Sequence, residues 1–312
     1  MRPRRRRRSR DLDMSGFLRA DWIRFRHRRD VLVIALALPV LAVVGYASGL
    51  TSSGNQFSFD PDFSPPPEIL AAMAAERQRF AFPQSVLTLL GSTGIGLLAL
   101  VYLAVATVGD EIGWSTIRLS LLASSDRRRF LASRFVALGV VTAWIVGSLF
   151  VLGVVLPFAA KALGADLPTA PAIDALGTVG YVASILLVAA SALSFGILVA
   201  LLTRSGPAAL VVAVIYTLVE AAFGSLPIWQ RDDLLAWLPT LLFTTASAAL
   251  LDQANRAAAA VRPFEELIGS PPPEQPLPHV LSIQAGMLVV LAWGALFLTA
   301  AFLRMRRMDI PE

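Results

Sequence analysis

Cysteine is absent from this chain of 312 residues, and only two histidines and one lysine are present. Without cysteine the chain has no disulfides and no thiolate metal sites. His27 and His279 are too few to form a histidine-based metal site within one subunit. The single lysine, Lys161, is followed by alanine, whereas a P-loop needs a lysine directly before serine or threonine. The chain is therefore not expected to be an enzyme that hydrolyses ATP alone.

Charge is also scarce. Charged residues make up 16% of the chain, against roughly a quarter in soluble domains, while hydrophobic residues make up 56%. A helix needs about 20 mostly apolar residues to cross a hydrocarbon core of about 30 Å. These values predict an all-α integral membrane protein with about six transmembrane helices in one domain of residues 31–303, with spans near 31–50, 86–108, 135–160, 178–202, 207–229 and 283–303.

The few charges are unevenly distributed between the two sides that these spans define. One side carries both chain ends, the loop after the second span and the turn at Arg204, and it holds 21 of the 27 basic residues. The opposite side holds six basic and twelve acidic residues. Loops rich in arginine and lysine stay in the cytoplasm. Both termini are therefore predicted to be cytoplasmic, which an even number of spans requires.

The chain ends have distinct patterns. Residues 1–13 are rich in arginine and lack an apolar period, which predicts a disordered cytoplasmic tail that contacts anionic lipid and not nucleic acid. Residues 14–30 place Met14, Leu18 and Trp22 on one side of a helix, so this segment is predicted to be an amphipathic interfacial helix. A short cytoplasmic tail is predicted at 304–312.

Three loops are predicted on the outer side, at 51–85, 162–177 and 230–282. The first contains a triple proline followed by a short alanine-rich segment, which predicts a surface helix after residue 68. The last contains an apolar stretch at 234–251 that Pro239 interrupts. A seventh crossing there would place the terminal arginines outside. We therefore expect a re-entrant or surface-lying helix pair.

The cytoplasmic loop predicted at 109–132 concentrates charge between two spans without charge. Asp110 and Glu111 follow the second span directly, on the side of the membrane where basic residues are the rule. Two acidic residues gain nothing from lipid in that position, whereas a positive patch on a partner protein would attract them. The alternative interpretation is a solvated loop whose arginines only fix the orientation of the chain.

Glu220 is the one acidic residue inside a predicted span. An unpaired charge in a membrane costs at least a few kcal/mol, so this carboxyl needs an explanation. It either contacts a substrate or proton in a central cavity, or it is protonated or hydrogen-bonded near the outer boundary. Both interpretations remain open from the sequence.

The segment after the second span resembles a known family, the membrane subunits of type-2 ABC exporters. Those permeases have an acidic residue, a Gly-Thr-Leu step, a turn with small residues and arginine, and a third span that a lysine introduces. The same order is found here in Glu111, Thr116-Ile117-Arg118, Leu121-Leu122, Asp126-Arg127 and Phe130 to Arg134. The basic segment before the first span and the ending Arg306-Arg307-Met308-Asp309-Ile310 are also similar to the family. Ser115 and Arg134 depart from its usual glycine and lysine.

The resemblance implies a permease that pairs with a separate ATP-binding subunit, as two identical or two different permeases on two ATPases, and exports a substrate by alternating access. ATP and Mg would bind to that partner, with no cofactor on this chain. The coupling residues implied are Asp110, Glu111, Thr116, Arg118, Arg127, Arg128, Arg129 and Arg134. The arginine-rich composition is typical of a bacterial protein, and the expected location is the plasma membrane. The alternatives are a proton- or ion-coupled carrier that uses Glu220, and a non-transporting membrane anchor or immunity protein.

Overall fold

The structure is a computed structural model that describes residues 23, 28–55, 66–91, 93–113, 127–226, 229, 236–259 and 281–308. Regular structure in these ranges is helical, without strands, which confirms the predicted all-α class. The helices discussed below are α1 (Arg29–Asn55), α2 (Pro67–Gln78), α3 (Gln84–Gly91), α4 (Thr93–Gly113), α5 (Arg127–Ala162), α6 (Ala175–Thr203), α7 (Gly206–Gly224), α8 (Trp237–Thr240), α9 (Phe243–Ala258) and α10 (Ile283–Arg307).

Five of these helices are long and apolar enough to cross a membrane, namely α1, α5, α6, α7 and α10. Helix α6 is the centre of the bundle, since 72% of its apolar window is buried, against 22% for α1, α7 and α10. The outer helices expose large apolar side chains such as Leu41, Trp144 and Leu288. Exposed residues of this kind are stable only against lipid. The chain is a multi-pass membrane protein.

The predicted second span at 86–108 consists of two helices, α3 and α4. Helix α3 is held by α5, because the Ser85 hydroxyl donates a hydrogen bond of 2.6 Å to the Gly153 carbonyl. Helix α4 instead packs along α6, where Gly196 has no side chain and so allows Val101 to approach closely. The two parts of this apolar run follow different neighbours, which hydropathy alone does not show.

Contacts between helix ends show how the chain alternates between the two faces. The Arg28 guanidinium before α1 reaches the Ala106 carbonyl near the end of α4. Gly109 of α4 lies against Gly206, at the turn between α6 and α7. Arg127 at the start of α5 contacts the end of α10. The start of α1 and the end of α10 therefore lie on the same face, which the charge distribution assigns to the cytoplasm.

Several helix ends differ from the predicted bounds. Helix α5 begins at Arg127 and α4 continues to Gly113, so the predicted loop at 109–132 is helical at both ends. Residues 114–126 lie outside the described ranges. The predicted interfacial helix at 14–30 also lies outside them, apart from Ile23 and residues 28–30, and so do the tail at 1–13 and residues 309–312.

The turn between α6 and α7 consists of Arg204 and Ser205. Arg204 adopts the left-handed conformation (φ 57°) that commonly ends a helix, and its N–H donates to the Ala200 carbonyl. Pro207 follows in the first turn of α7, where its fixed φ suits a helix start. So short a connection makes α6 and α7 antiparallel neighbours, as the sequence predicts.

The outer apolar stretch at 234–251 forms the short helix α8 and most of α9. Helix α9 does not lie on the surface, because it packs against α6, α7 and α10 and buries Phe243, Ala246 and Leu250. Its last carbonyls are at the outer end of α6, where the Asp174 N–H donates to Ala258. Its first turn lies beside Glu220, four residues before the end of α7. Of the two predicted forms, these contacts favour a partly inserted helix.

Candidate functional site

Two of the predicted coupling residues form an ion pair at the end of the bundle that the charge distribution predicts to be cytoplasmic. Arg134, in the second turn of α5, donates a hydrogen bond from Nη2 to the Glu111 carboxylate near the end of α4. The Arg134 side chain is 2% exposed and that of Glu111 is 15% exposed. The guanidinium also lies 5.3 Å from the centre of the Phe130 ring. The pair therefore joins the two helices that border the segment 114–126.

A third predicted residue, Arg127, connects the same region to the end of the chain. Its guanidinium donates to the carbonyls of Met305 and Arg306 at 3.2 Å and of Met308 at 2.8 Å. The last carbonyls of a helix have no partner within the helix and carry a partial negative charge. Arg127 therefore caps the end of α10 and fixes it to the start of α5.

The remaining predicted coupling residues are not brought to this contact. Arg128 and Arg129 are exposed beside the end of α10. Asp110 lies within α4, but its side chain is not described, and Thr116 and Arg118 lie outside the described ranges. Their proposed roles stay predictions.

Two further contacts of this region were not predicted from the sequence. Arg28 forms a bidentate pair with Asp30, at 3.1 and 2.8 Å, and also donates to the Ala106 carbonyl at 3.3 Å. Gly109 lies so close to Gly206 that a Cβ on it would come within 2.7 Å of the Gly206 Cα. Arginine near a membrane surface and glycine near a helix end have common explanations, so neither residue signals a long-range contact.

Together these contacts form a cytoplasmic junction, which we define as Arg28, Gly109, Glu111, Arg127, Arg134 and Gly206 with their partners. The junction connects the start of α1, the end of α4, the start of α5, the turn between α6 and α7 and the end of α10. Closely packed helix ends shift as units and not independently. Gly113 and Arg127, which border the segment 114–126, belong to two of these helices.

Glu220 lies in a separate site near the outer end of α7. Its Oε1 accepts hydrogen bonds from the N–H groups of Thr244 at 2.5 Å and Thr245 at 3.4 Å. These are the second and third residues of α9, whose first N–H groups have no partner within the helix. Glu220 thus caps α9 from a neighbouring helix through Oε1. Its other oxygen, Oε2, is buried and has no hydrogen-bond partner among the described residues.

A cavity of about 530 Å³ lies between α1 and the rest of the bundle. Most of its wall is apolar, with Leu41, Leu100 and Leu149 among the lining residues. The hydroxyls of Tyr46, Thr88 and Thr142 also line it, but they donate to backbone carbonyls at 2.6 to 3.0 Å. None of the described residues that line the cavity carries a charge, so its wall offers mainly a hydrocarbon surface.

Neither a possible metal site nor a comparison with known proteins identifies the function of the chain. In the ranges that the structure describes, histidine, aspartate and glutamate form no group of three that could hold a metal ion. No protein-family model matches the chain, and no curated protein is similar to it. The interpretation of the chain therefore depends on its own residues and contacts.

Proposed function

We propose that this protein is the permease subunit of an ABC exporter, driven by a separate ATP-binding subunit that docks on the cytoplasmic junction. The observation that carries the proposal is the Glu111–Arg134 pair together with Arg127, because these residues join α4, α5 and α10 at the two borders of the segment 114–126. A partner that moved this segment would move α4, α5 and α10 with it.

The sequence supports an external energy source. A protein that lacks a P-loop needs another driving force to move a substrate against its gradient. Glu111 belongs to this junction and Asp110 precedes it in α4, at the face that the positive-inside rule assigns to the cytoplasm. An ATP-binding subunit is a cytoplasmic protein that can reach this face. On this proposal ATP and Mg bind to the partner, and two permeases assemble on two ATPases in a plasma membrane.

The arrangement of helices is compatible with six crossings. Counting α3 and α4 as one interrupted span, the chain leaves the cytoplasmic face in α1, α5 and α7 and returns to it in α4, α6 and α10. Alternating access requires two arrangements of such a bundle, and ATP must favour one of them through contacts that differ between the two. The junction is where such contacts would act.

The carrier alternative depends on Glu220, and the geometry does not favour it. A proton or ion carrier needs a carboxylate that exchanges its partner during transport. Oε1 of Glu220 instead binds the first turn of α9, whereas Oε2 is buried without a hydrogen-bond partner among the described residues. The contact of Oε1 supports the role of holding α9 in place.

Reversal of the charge at Asp110 tests the coupling proposal. Asp110→Lys should reduce partner-stimulated ATP hydrolysis at least tenfold, because a lysine would repel the positive patch that we expect on the ATPase. Glu111 is left unchanged because its reversal would also break the pair with Arg134. The measurement is ATP hydrolysis by the reconstituted complex, with and without the permease.

The matched control is Asp252→Lys, the same change of charge on α9, a helix that contributes no residue to the junction and on which the Asp252 side chain is 59% exposed. It should leave the stimulation within about twofold of the unchanged protein, an exposed charge usually having a small effect. Equal stimulation by the Asp110→Lys protein and the unchanged protein, with both inserted in the membrane, would contradict a docking role for this residue.

A further inference from the structure

A groove of about 430 Å³ lies where the start of α5 and the end of α10 meet. Two elements form its wall. Helix α5 contributes two arginines from its first turn, and α10 contributes a third arginine and a short row of less polar residues. The residues that matter here are Arg128, Arg129, Thr299, Phe302, Leu303 and Arg306.

The groove is polar at one end and apolar along the rest. The residues of α10 follow the spacing i, i+3, i+4, i+7, which places them on one face of the helix. With a rise of about 1.5 Å per residue, the row from Thr299 to Arg306 extends over about 10 Å along the axis. Arg306 lies in the last turn of α10, at the end predicted to be cytoplasmic, whereas Phe302 and Leu303 lie one turn earlier in the helix.

We propose that this groove binds an anionic phospholipid of the cytoplasmic leaflet. Its phosphate would contact the guanidinium groups of Arg128, Arg129 and Arg306, which bind phosphate in a bidentate manner. The positive end of the α5 dipole, at Arg127, adds to the attraction. The upper part of one acyl chain lies along Phe302 and Leu303. The proposal does not depend on the transport function.

The shape of the groove favours a lipid over a soluble protein. Leu303 is 48% exposed although it belongs to an apolar helix, and Leu296, two turns deeper, is 56% exposed. These residues continue the apolar end of the groove towards the bilayer centre, where a cytoplasmic protein does not reach. A lipid has both parts that the groove requires, an anionic group at the surface and a hydrocarbon chain below it.

The site also has a consequence for the bundle. Arg127 caps α10 from the position before Arg128, so a lipid bound in the groove would contact both helices that this cap joins. A lipid that bridges α5 and α10 stabilises their contact, because it binds the folded arrangement only. Anionic lipid is therefore expected to raise the melting temperature of the full chain, and neutral lipid is not.

The test measures lipid retained by the purified full chain in detergent, without any partner, by native mass spectrometry. Phosphatidylglycerol should be retained in preference to phosphatidylcholine. The double variant Arg129→Gln with Arg306→Gln should lower this retention more than tenfold, since each arginine near a membrane surface contributes about a fivefold increase in affinity. Arg307→Gln is the matched control, because Arg307 is exposed in the same turn but does not line the groove.

Two further arms separate a lipid from a free anion. Soluble glycerol phosphate should not displace phosphatidylglycerol. Thr299→Trp, which fills the apolar end and keeps every arginine, should also reduce retention, and this variant keeps the test valid if the double variant does not fold. The proposal would be overturned by any of four results. These are an equal loss of phosphatidylglycerol in the Arg307→Gln control, equal retention of phosphatidylcholine, displacement of phosphatidylglycerol by glycerol phosphate, and full retention of phosphatidylglycerol by the variants. Arg128 and Arg129 also belong to the predicted coupling residues. Because the ATPase is absent from this experiment, a loss of lipid in the variants cannot result from a loss of ATPase docking.

Discussion

Replacement of Glu111 by alanine is expected to destabilise the protein by about 3 kcal/mol, since removal of one partner from a buried pair leaves the other charge uncompensated. Arg134 is 2% exposed and cannot turn its guanidinium to water without leaving the contact between α4 and α5. The melting temperature of the purified chain in detergent should fall by several degrees. Arg134→Ala should also destabilise the protein, but by less, because the Glu111 carboxylate that it leaves unpaired is more exposed to solvent than Arg134.

The double variant Glu111→Met with Arg134→Met separates charge from packing. Two apolar side chains of similar length leave no buried charge, so the double variant should regain most of the lost stability. If the cytoplasmic junction couples a partner to the bundle, this stable variant should still respond poorly to ATP. An unchanged melting temperature in both alanine variants would show that the pair does not hold α4 and α5 together.

Replacement of Glu220 by leucine is expected to release the first turn of α9. The N–H groups of Thr244 and Thr245 would lose their acceptor in a buried site, at a cost of about 2 kcal/mol. A change of this size raises the population of molecules in which the start of α9 has detached from α7 roughly 30-fold. Because the chain has no cysteine, a cysteine at Ser247, which is 2% exposed, reports this opening through its rate of modification by a water-soluble maleimide.

The control for this experiment is Asp252→Asn on the same helix, where the pair with Arg256 is more than half exposed and contributes little. The modification rate at position 247 should then stay within about twofold. If Glu220→Leu also left the rate unchanged, the capping role would be wrong. The carrier alternative would be supported if Glu220→Gln abolished transport while the modification rate at position 247 stayed unchanged.

The all-α membrane class could be predicted because hydropathy and charge are properties of each segment by itself. The apolar runs after residues 135, 178 and 283 all lie within helices long enough to cross a membrane. The tight turn at Ser205 and Gly206 likewise predicts the antiparallel α6 and α7. In each of these cases the signal is local, and the bilayer supplies the rest of the constraint.

The contacts between distant segments could not be predicted in the same way. The sequence selects Glu111 and Arg134 separately but does not show that they meet, because their distance depends on how α4 and α5 cross. The division of the second predicted span depends on α3 packing against α5, which no hydropathy value contains. The function of Glu220 depends on the N–H groups of Thr244 and Thr245, and backbone donors have no signature in a sequence.

The central claim is that a separate ATPase drives this permease, and purification of the tagged chain from its native membranes in mild detergent tests it most directly. We expect a P-loop protein to co-purify in a one-to-one ratio and to hydrolyse ATP, and the Asp110→Lys chain to recover less of it. The proposal would be contradicted if no nucleotide-binding protein co-purified and if the chain alone transported a substrate in response to a pH gradient.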